Sequence, residues 1–343
     1  MFFNRLFVFT AALGLSLASA GASAQSVTVK YSSWLPLNHW INQTIFNPWF
    51  AEVEKATQGR VKFDVLPKTV GTALTAYDVI RDGLADTSLV VASYSPGRFV
   101  LAEMLDLPML GNDSSTMSVI SERTYRKHFM PKGEFAGTKV LSIFNIVPLQ
   151  IFNNKRPVVT IDDIKGLKLR SPTKSTTSIL NATGGIPILK SSAEAFEMLS
   201  SGAIDGQMTQ ADTVVVNNGT AFMKFGTLVP GGLSNSCLLI PFNPDTWAKI
   251  SKADQEAIEK ITTGKMAQTF GDGFFRQEQK AMKIMADAGY KIIEADAAFV
   301  NALRPAIQAI DDDWIKRAKE KGVSDPAAIL AEYRAEIAKA RKN

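Results

Sequence analysis

The chain has 343 residues, 46% of them hydrophobic and 21% charged, with a net charge of +5 spread along its length. That is ordinary globular composition, with apolar mass for one large core or two medium ones, and length alone favours two domains of roughly 150 residues. No basic run interleaved with aromatics is present, so the electrostatic footprint of nucleic-acid binding is missing, and the single cysteine, Cys237, excludes an intrachain disulfide.

The first residues read as an export signal. Arg5 precedes an apolar run from Leu6 to Leu17, then small residues ending in Ala22-Ser23-Ala24. The run is too short to span a bilayer and the A-x-A pattern predicts cleavage after Ala24, hence an exported mature chain. VTVKYSSW (27–34) predicts a strand, residues 40–57 an amphipathic helix ended by Gln58-Gly59, and RVKFDVLP (60–67) a second strand. A short helix in AYDVIRDGLAD and a third strand in TSLVVAS (87–93) follow. This alternation predicts an α/β chain with helices on the faces of its sheets.

The second half repeats the pattern. GTKVLSIFNI, LQIFNN and the end of TIDDIKGLKLR read as strands, TTSILNATG as a helix, then IPIL, the helix SSAEAFEMLSSG and the strand AIDGQM. Asp162 and Asp163 read as first-turn acids of a short helical turn capped by Thr160. CLLIPF reads as a strand in which Cys237 is buried filler. Apolar spacing from Ala257 to Met285 predicts one very long helix over 252–288, with Gly271 and Gly273 as weak points where it would kink. Helices over 297–321 and 325–341 close the chain, the last opened by the cap Asp325 and Pro326; Asp311-Asp312-Asp313 reads as a solvated helix face. No linker rich in Pro, Gly or Ser divides the halves, which implies that the chain crosses between two lobes more than once.

The parts of a reaction are missing. His39 and His128 are the two histidines, and no H-E-x-x-H, Cys–His cluster, G-x-S-x-G, Walker loop or G-x-G-x-x-G occurs. No cofactor, metal site or catalytic residue is therefore expected. What stands out is IKGLKLRSPTKSTTSIL (164–180), which puts Arg170 at the carboxyl end of a strand just before a helix. Ligands of open α/β sheets bind at that edge, and a guanidinium is a planar fork matched to a carboxylate. The alternative is a structural arginine paired with Asp162 or Asp205; from the residues alone the two readings are even.

The chain resembles the DctP-type solute-binding proteins of TRAP (tripartite ATP-independent periplasmic) transporters over essentially all of its mature length. IKGLKLRSPTKSTTSILNATGGIPI is similar to the family's stretch around its carboxylate-binding arginine, and SSAEAFEMLSSGAIDGQ to the helix and strand after it. TQGRVKFDVLPKTVG, IRDGLADTSLV, YSPGRFVLAEMLDLPML and VPGGLSNSCLLIPFNPDTW match in order and spacing. The resemblance implies a two-lobed periplasmic-binding-protein fold, each lobe a mixed sheet flanked by helices, with a long helix spanning both. Lobe I would comprise 25–147 plus 237–275, and lobe II 148–236 plus 276–343.

By the same resemblance, Arg170 makes a bidentate contact to a substrate carboxylate, and the ligand passes to TRAP-type membrane permease subunits. Two rival uses are a ligand-presenting sensor component on the same scaffold and a secreted α/β hydrolase, the latter needing His39 or His128. The sialic-acid-binding branch carries a second arginine where this chain has Leu149, an asparagine where it has Thr209, and an aromatic where it has Ser192. One fixed cation would then remain, with Gln150 and Thr209 as neutral partners, which favours monocarboxylates because a second buried carboxylate would lack a charged partner. Trp34, His39 and Tyr94 on the loops of the first lobe, and Asn235 and Ser236 at the lobe crossing, complete the predicted wall. Trp40 and Trp49 read as helix packing. Trp34 and Tyr94 suit an aromatic or otherwise apolar acid.

Overall fold

The computed structural model describes residues 26–340, so the predicted leader and its cleavage site lie outside the described residues. Strand β1 (Val27–Tyr31) alternates buried and exposed positions, as a half-buried strand should. A π-helical turn, Asn42–Phe46, runs into α1 (Asn47–Ala56), and β2 (Val61–Val65) lies parallel to β1. Helix α2 (Ala76–Arg81) leads to β3 (Val90–Val91), and α3 (Ser114–His128) to β4 (Lys139–Asn145). Asp113 caps α3 by accepting from the Ser115 N–H at 3.0 Å.

The chain then enters a second sheet. Strand β5 (Gln150–Asn153) is followed by β6 (Lys168–Arg170), α4 (Lys174–Thr183), β7 (Ile186–Ile188), α5 (Ala195–Ser200), β8 (Gly206–Thr209), α6 (Ala211–Val216) and β9 (Phe225–Leu228). It returns with β10 (Cys237–Phe242), α7 (Pro244–Lys249) and α8 (Lys252–Thr262), and α9 (Lys265–Asp287) carries it back to β11 (Lys291–Glu294). Helices α10 (Ala297–Glu320) and α11 (Pro326–Ala340) finish it.

The result is a two-lobed α/β protein. In the first lobe β10 pairs antiparallel with both β3 and β4, and Thr87 bridges this sheet to the β1–β2 pair. In the second the order is β11-β9-β5-β8-β6-β7, with β7, β6 and β8 parallel to one another and β5 antiparallel. The two strand-like crossings lie side by side: Leu149 bridges Ser234, its N–H donating to the Ser234 carbonyl at 2.9 Å. Helix α9 packs against α3 of the first lobe and α6 of the second.

Three sequence expectations change here. The long helix is two helices, because Thr263-Gly264 breaks it. Gly264 takes φ +76°, which favours glycine, and its N–H donates to Glu122 Oε2 at 2.8 Å. Gly271 and Gly273, the expected weak points, sit inside unbroken α9 and are there for close approach. A Cβ on Gly271 would stand 2.4 Å from the Ser114 carbonyl oxygen, and one on Gly273 3.0 Å from the Trp40 ring. Asp311 is not solvated: it is 6% exposed and binds Arg334 of α11 through both oxygens. Cys237 is buried as expected, and Thr160 and Asp163 form the reciprocal cap of the short turn Ile161–Ile164.

Candidate functional site

The parallel strands β7, β6 and β8 end at the boundary between the lobes, where the chain must leave the sheet and a crevice opens. Arg170 is the last residue of β6 and is 2% exposed. Neither acid proposed as its structural partner holds it. Asp205 accepts instead from the Lys168 N–H and pairs with Lys155. The guanidinium has two neutral partners: Nε donates to the Lys190 carbonyl at 2.9 Å and Nη2 to the Tyr94 hydroxyl at 3.2 Å. Burial lowers its pKa, with weaker opposing pulls from Tyr94 and Glu194. A guanidinium keeps its proton in any case, so the site holds a buried charge that is hydrogen-bonded but lacks a counter-ion.

Tyr94 comes from the first lobe, just past β3, and its hydroxyl joins the lobes. It accepts from Arg170 Nη2 and from the Ser192 N–H at 3.0 Å, and donates to Ser192 Oγ at 3.3 Å. Trp34 stands edge-on to Tyr94 with ring centroids 6.3 Å apart, and its indole N–H is spent on the Leu89 carbonyl at 2.7 Å. It therefore offers the site an apolar surface only.

These groups line one cavity of about 80 Å³. That is several times the ~10–15 Å³ that a single water occupies in the same measure. The first lobe gives Leu89, Val91 and Leu238; the crossings give Ile146, Leu149 and Ser236; α9 gives Phe274. Of the predicted residues, the structure brings together Arg170, Trp34, His39, Tyr94, Ser192 and Ser236. It does not bring Gln150, Thr209 or Asn235 to this wall. Gln150 exchanges two hydrogen bonds with Val229, at 3.2 and 2.7 Å, on the far face of its strand. Asn235 accepts from the Ile146 and Ser236 N–H groups, and Thr209 is fully buried against Gln210. Trp49 is core packing bonded to Thr262, and Trp40 packs edge-on against Phe274.

Sequence reasoning missed Gln210, Asp212, Thr213 and Asn217, all in the wall. They follow β8 directly, so their signal was the one that pointed to Arg170: the carboxyl end of a parallel strand. A larger cavity of about 440 Å³ lies elsewhere, between residues 92–107, α4 and α10. Four of its charged residues pair in a chain from Lys174 through Asp313 and Arg317 to Glu103, and burial raises the pKa of the fifth, Asp106, which accepts from the Cys237 N–H. The Arg170 cavity instead holds a buried guanidinium that has no ion-pair partner among the described residues.

Two lobes around a crevice, a buried arginine at the switch point and a helix spanning both lobes define a solute receptor. The chain belongs to the family described as bacterial extracellular solute-binding protein, family 7, which it matches over residues 31–317. It is similar to a TRAP periplasmic solute-binding protein of Bordetella bronchiseptica solved with (R)- and (S)-mandelate: 32% identical, TM-score 0.87, covering 92% of this chain and 99% of that one. A marine-metagenome TRAP solute-binding protein specific for aromatic acids, solved with 3-hydroxybenzoate, is 25% identical with TM-score 0.84 over the same shares. Among curated proteins, the outer membrane transporter protein TsaT of Comamonas testosteroni is 27% identical over 333 residues, 96% of this chain and 97% of its own. In the structure itself, no helix among the described residues is long and apolar enough to cross a membrane.

Proposed function

We propose that the protein captures an aromatic or otherwise apolar monocarboxylate between its lobes in the periplasm and delivers it to TRAP-type permease subunits. The observation that carries this is Arg170: one buried guanidinium with no ion-pair partner among the described residues, in a wall whose apolar part is Trp34, Leu89, Val91, Leu149, Leu238 and Phe274. A carboxylate supplies the missing charge in two parallel hydrogen bonds, and the apolar wall takes the rest of the molecule. With leucine at 149 the cavity has no second cation, so a second carboxylate would be desolvated without compensation. Contact with both lobes favours the closed form, to the extent that the ligand binds that form better. The two mandelate enantiomers and 3-hydroxybenzoate held by the similar proteins are aromatic monocarboxylates, in keeping with this reading.

Thermal melting against paired acids tests it. A ligand that binds only the folded chain stabilises it by about 2.7 kcal/mol at a hundred times its Kd. Aromatic monocarboxylates should raise Tm, and their primary amides, which keep the ring and lose the charge, should not. Equal shifts from acid and amide, or larger shifts from dicarboxylates, would remove the reading.

A further inference from the structure

Two polar groups in the wall of the Arg170 cavity are left over once a carboxylate has been placed. Asp212, the second residue of α6, is 4% exposed and faces the cavity from the second lobe. His39 faces it from the first lobe. The two also line the adjoining space between the loop 36–40 and α9.

Their position relative to Arg170 follows from α6. Asn217, just past the end of that helix, donates from Nδ2 to the Ser192 carbonyl at 3.2 Å and so belongs to the Tyr94–Ser192–Arg170 end. Five residues of helix separate Asn217 from Asp212, about 7.5 Å along the axis at 1.5 Å per residue. Asp212 is therefore set off from the Arg170 end by about that rise along the helix.

Their chemistry is complementary. His39 Nδ1 accepts the Ile41 N–H at 3.2 Å, and burial lowers the ring's pKa to about 4. The neutral ring then carries its proton on Nε2, which makes no hydrogen bond to a described residue and is a free donor. Asp212 takes the Thr213 hydroxyl at 3.3 Å, and the Thr213 N–H and the Trp40 indole also act on it, which leaves acceptor capacity for one further donor. Its half-buried neighbour Glu278 is engaged by the chain itself. Both its oxygens accept from the start of α6, from the Ala211 N–H at 3.0 Å and the Asp212 N–H at 3.1 Å. Burial raises both carboxyls, and the charge of Asp212 raises Glu278 further.

We propose that Asp212 and His39 form a second recognition pole that selects acids bearing a hydroxyl at the end remote from the carboxylate. A hydroxyl donates to Asp212 and accepts from His39 Nε2–H at once. A bare ring edge brings no donor to Asp212, a carboxylate only 4% exposed, which is the situation in which a site rejects the analogue lacking the group. An ammonium gives His39 nothing to bind, and a second carboxylate faces the charge of Asp212. The substrate class is thus a ring-hydroxylated aromatic monocarboxylate. This inference rests on the monocarboxylate reading above.

Calorimetric titration with matched pairs separates the two. The probes are benzoate and 3-hydroxybenzoate, phenylacetate with its 3- and 4-hydroxy derivatives, and 4-(aminomethyl)phenylacetate as the ammonium probe. Wild type should bind the best hydroxylated acid about tenfold or more tighter than its parent. In Asp212→Ala the ratio should fall to about twofold or less, and His39→Leu should lower it in the same direction. If Asp212→Ala does not fold, Asp212→Asn, which keeps the shape and loses the charge, should show an intermediate ratio. A wild-type ratio of one or below in every pair, a ratio unchanged in the variants, or tightest binding of the ammonium probe overturns the proposal while leaving the monocarboxylate reading in place. Failure of every aromatic acid to bind removes both.

Discussion

Arg170 should cost the free protein stability while supplying most of the ligand's affinity, and Arg170→Met separates the two effects. Methionine keeps the length and apolar stem, and loses the charge and two hydrogen bonds to neutral acceptors, Lys190 O and Tyr94 Oη. Those bonds, made by a charged group, contribute about 1.5–3 kcal/mol net each. Against them stands the desolvation of a charge at 2% exposure with no counter-ion, an effective penalty of several kcal/mol. The two are of similar size, and the depressed guanidinium pKa gives burial the edge. Replacing buried charges by apolar groups of similar volume is neutral or stabilising by about 1–4 kcal/mol in comparable cases. The ligand-free variant should therefore melt at or above wild type, where 1 kcal/mol corresponds to about 2–4 °C for a domain of 150–250 residues. Affinity should move the other way, losing about 2–5 kcal/mol, or about 30- to 5,000-fold in Kd, as for breaking a desolvated charge pair. Differential scanning calorimetry of the ligand-free chains and titration with the best aromatic acid measure the two halves. A variant that melts well below wild type and binds the acid as tightly would show that Arg170 is a structural residue and that the cavity reading is wrong.

Other predictions concern the frame around the site. Gly271→Ala should force α9 away from α3, because its Cβ would meet the Ser114 carbonyl at 2.4 Å. Overpacking of this kind costs about 1–3 kcal/mol, and an unchanged Tm would show that the contact gives way freely. Glu134 should make stability fall as pH rises. Burial lifts its pKa from 4.5 to about 7, against hydrogen bonds from the Leu101 and Ala102 N–H groups and the Tyr125 hydroxyl, with Glu103 adding to the rise. The folded chain thus holds this proton more tightly than the unfolded one. Its contribution is fully present below pH 4.5 and is lost as pH climbs through about 7, on the order of 3 kcal/mol in all. In Glu134→Gln the decline between pH 4.5 and 7 should shrink, and urea unfolding curves of identical pH dependence in both chains would refute the assignment.

The part of this architecture legible in the sequence is the part written in local pattern. The order of strands and short helices follows from apolar period and turn residues, and Arg170 stands out because a cation at the end of a β6-type strand has no packing role of its own. The exit of β8 carried the same positional signal, yet Asp212 was not read there because a carboxylate at the start of a helix looks like any first-turn acid. Only the third dimension shows that Glu278 already serves that helix start, which leaves Asp212 free to face the cavity. The break in the long helix was legible too, in Thr263-Gly264, but the apolar spacing continues across it and masked the glycine.

What pattern could not give is parity. Successive side chains of an extended segment point to opposite faces, so an error of one residue exchanges wall for core. The predicted wall residues fall on both sides of that divide. Leu149 and Ser236 face the ligand cavity, whereas their neighbours Gln150 and Asn235 turn away to tie down Val229 and the Ile146 and Ser236 N–H groups. Gln210 likewise faces the cavity where Thr209 does not. In each pair polarity does not assign a face, because both faces of these crossings are buried. The consequence for specificity is direct. Gln150 and Asn235 act on the ligand through the crossing they hold rigid, so substituting them should alter how the lobes close. On the proposed reading, the groups that would read the ligand itself are Arg170 and the exit of β8.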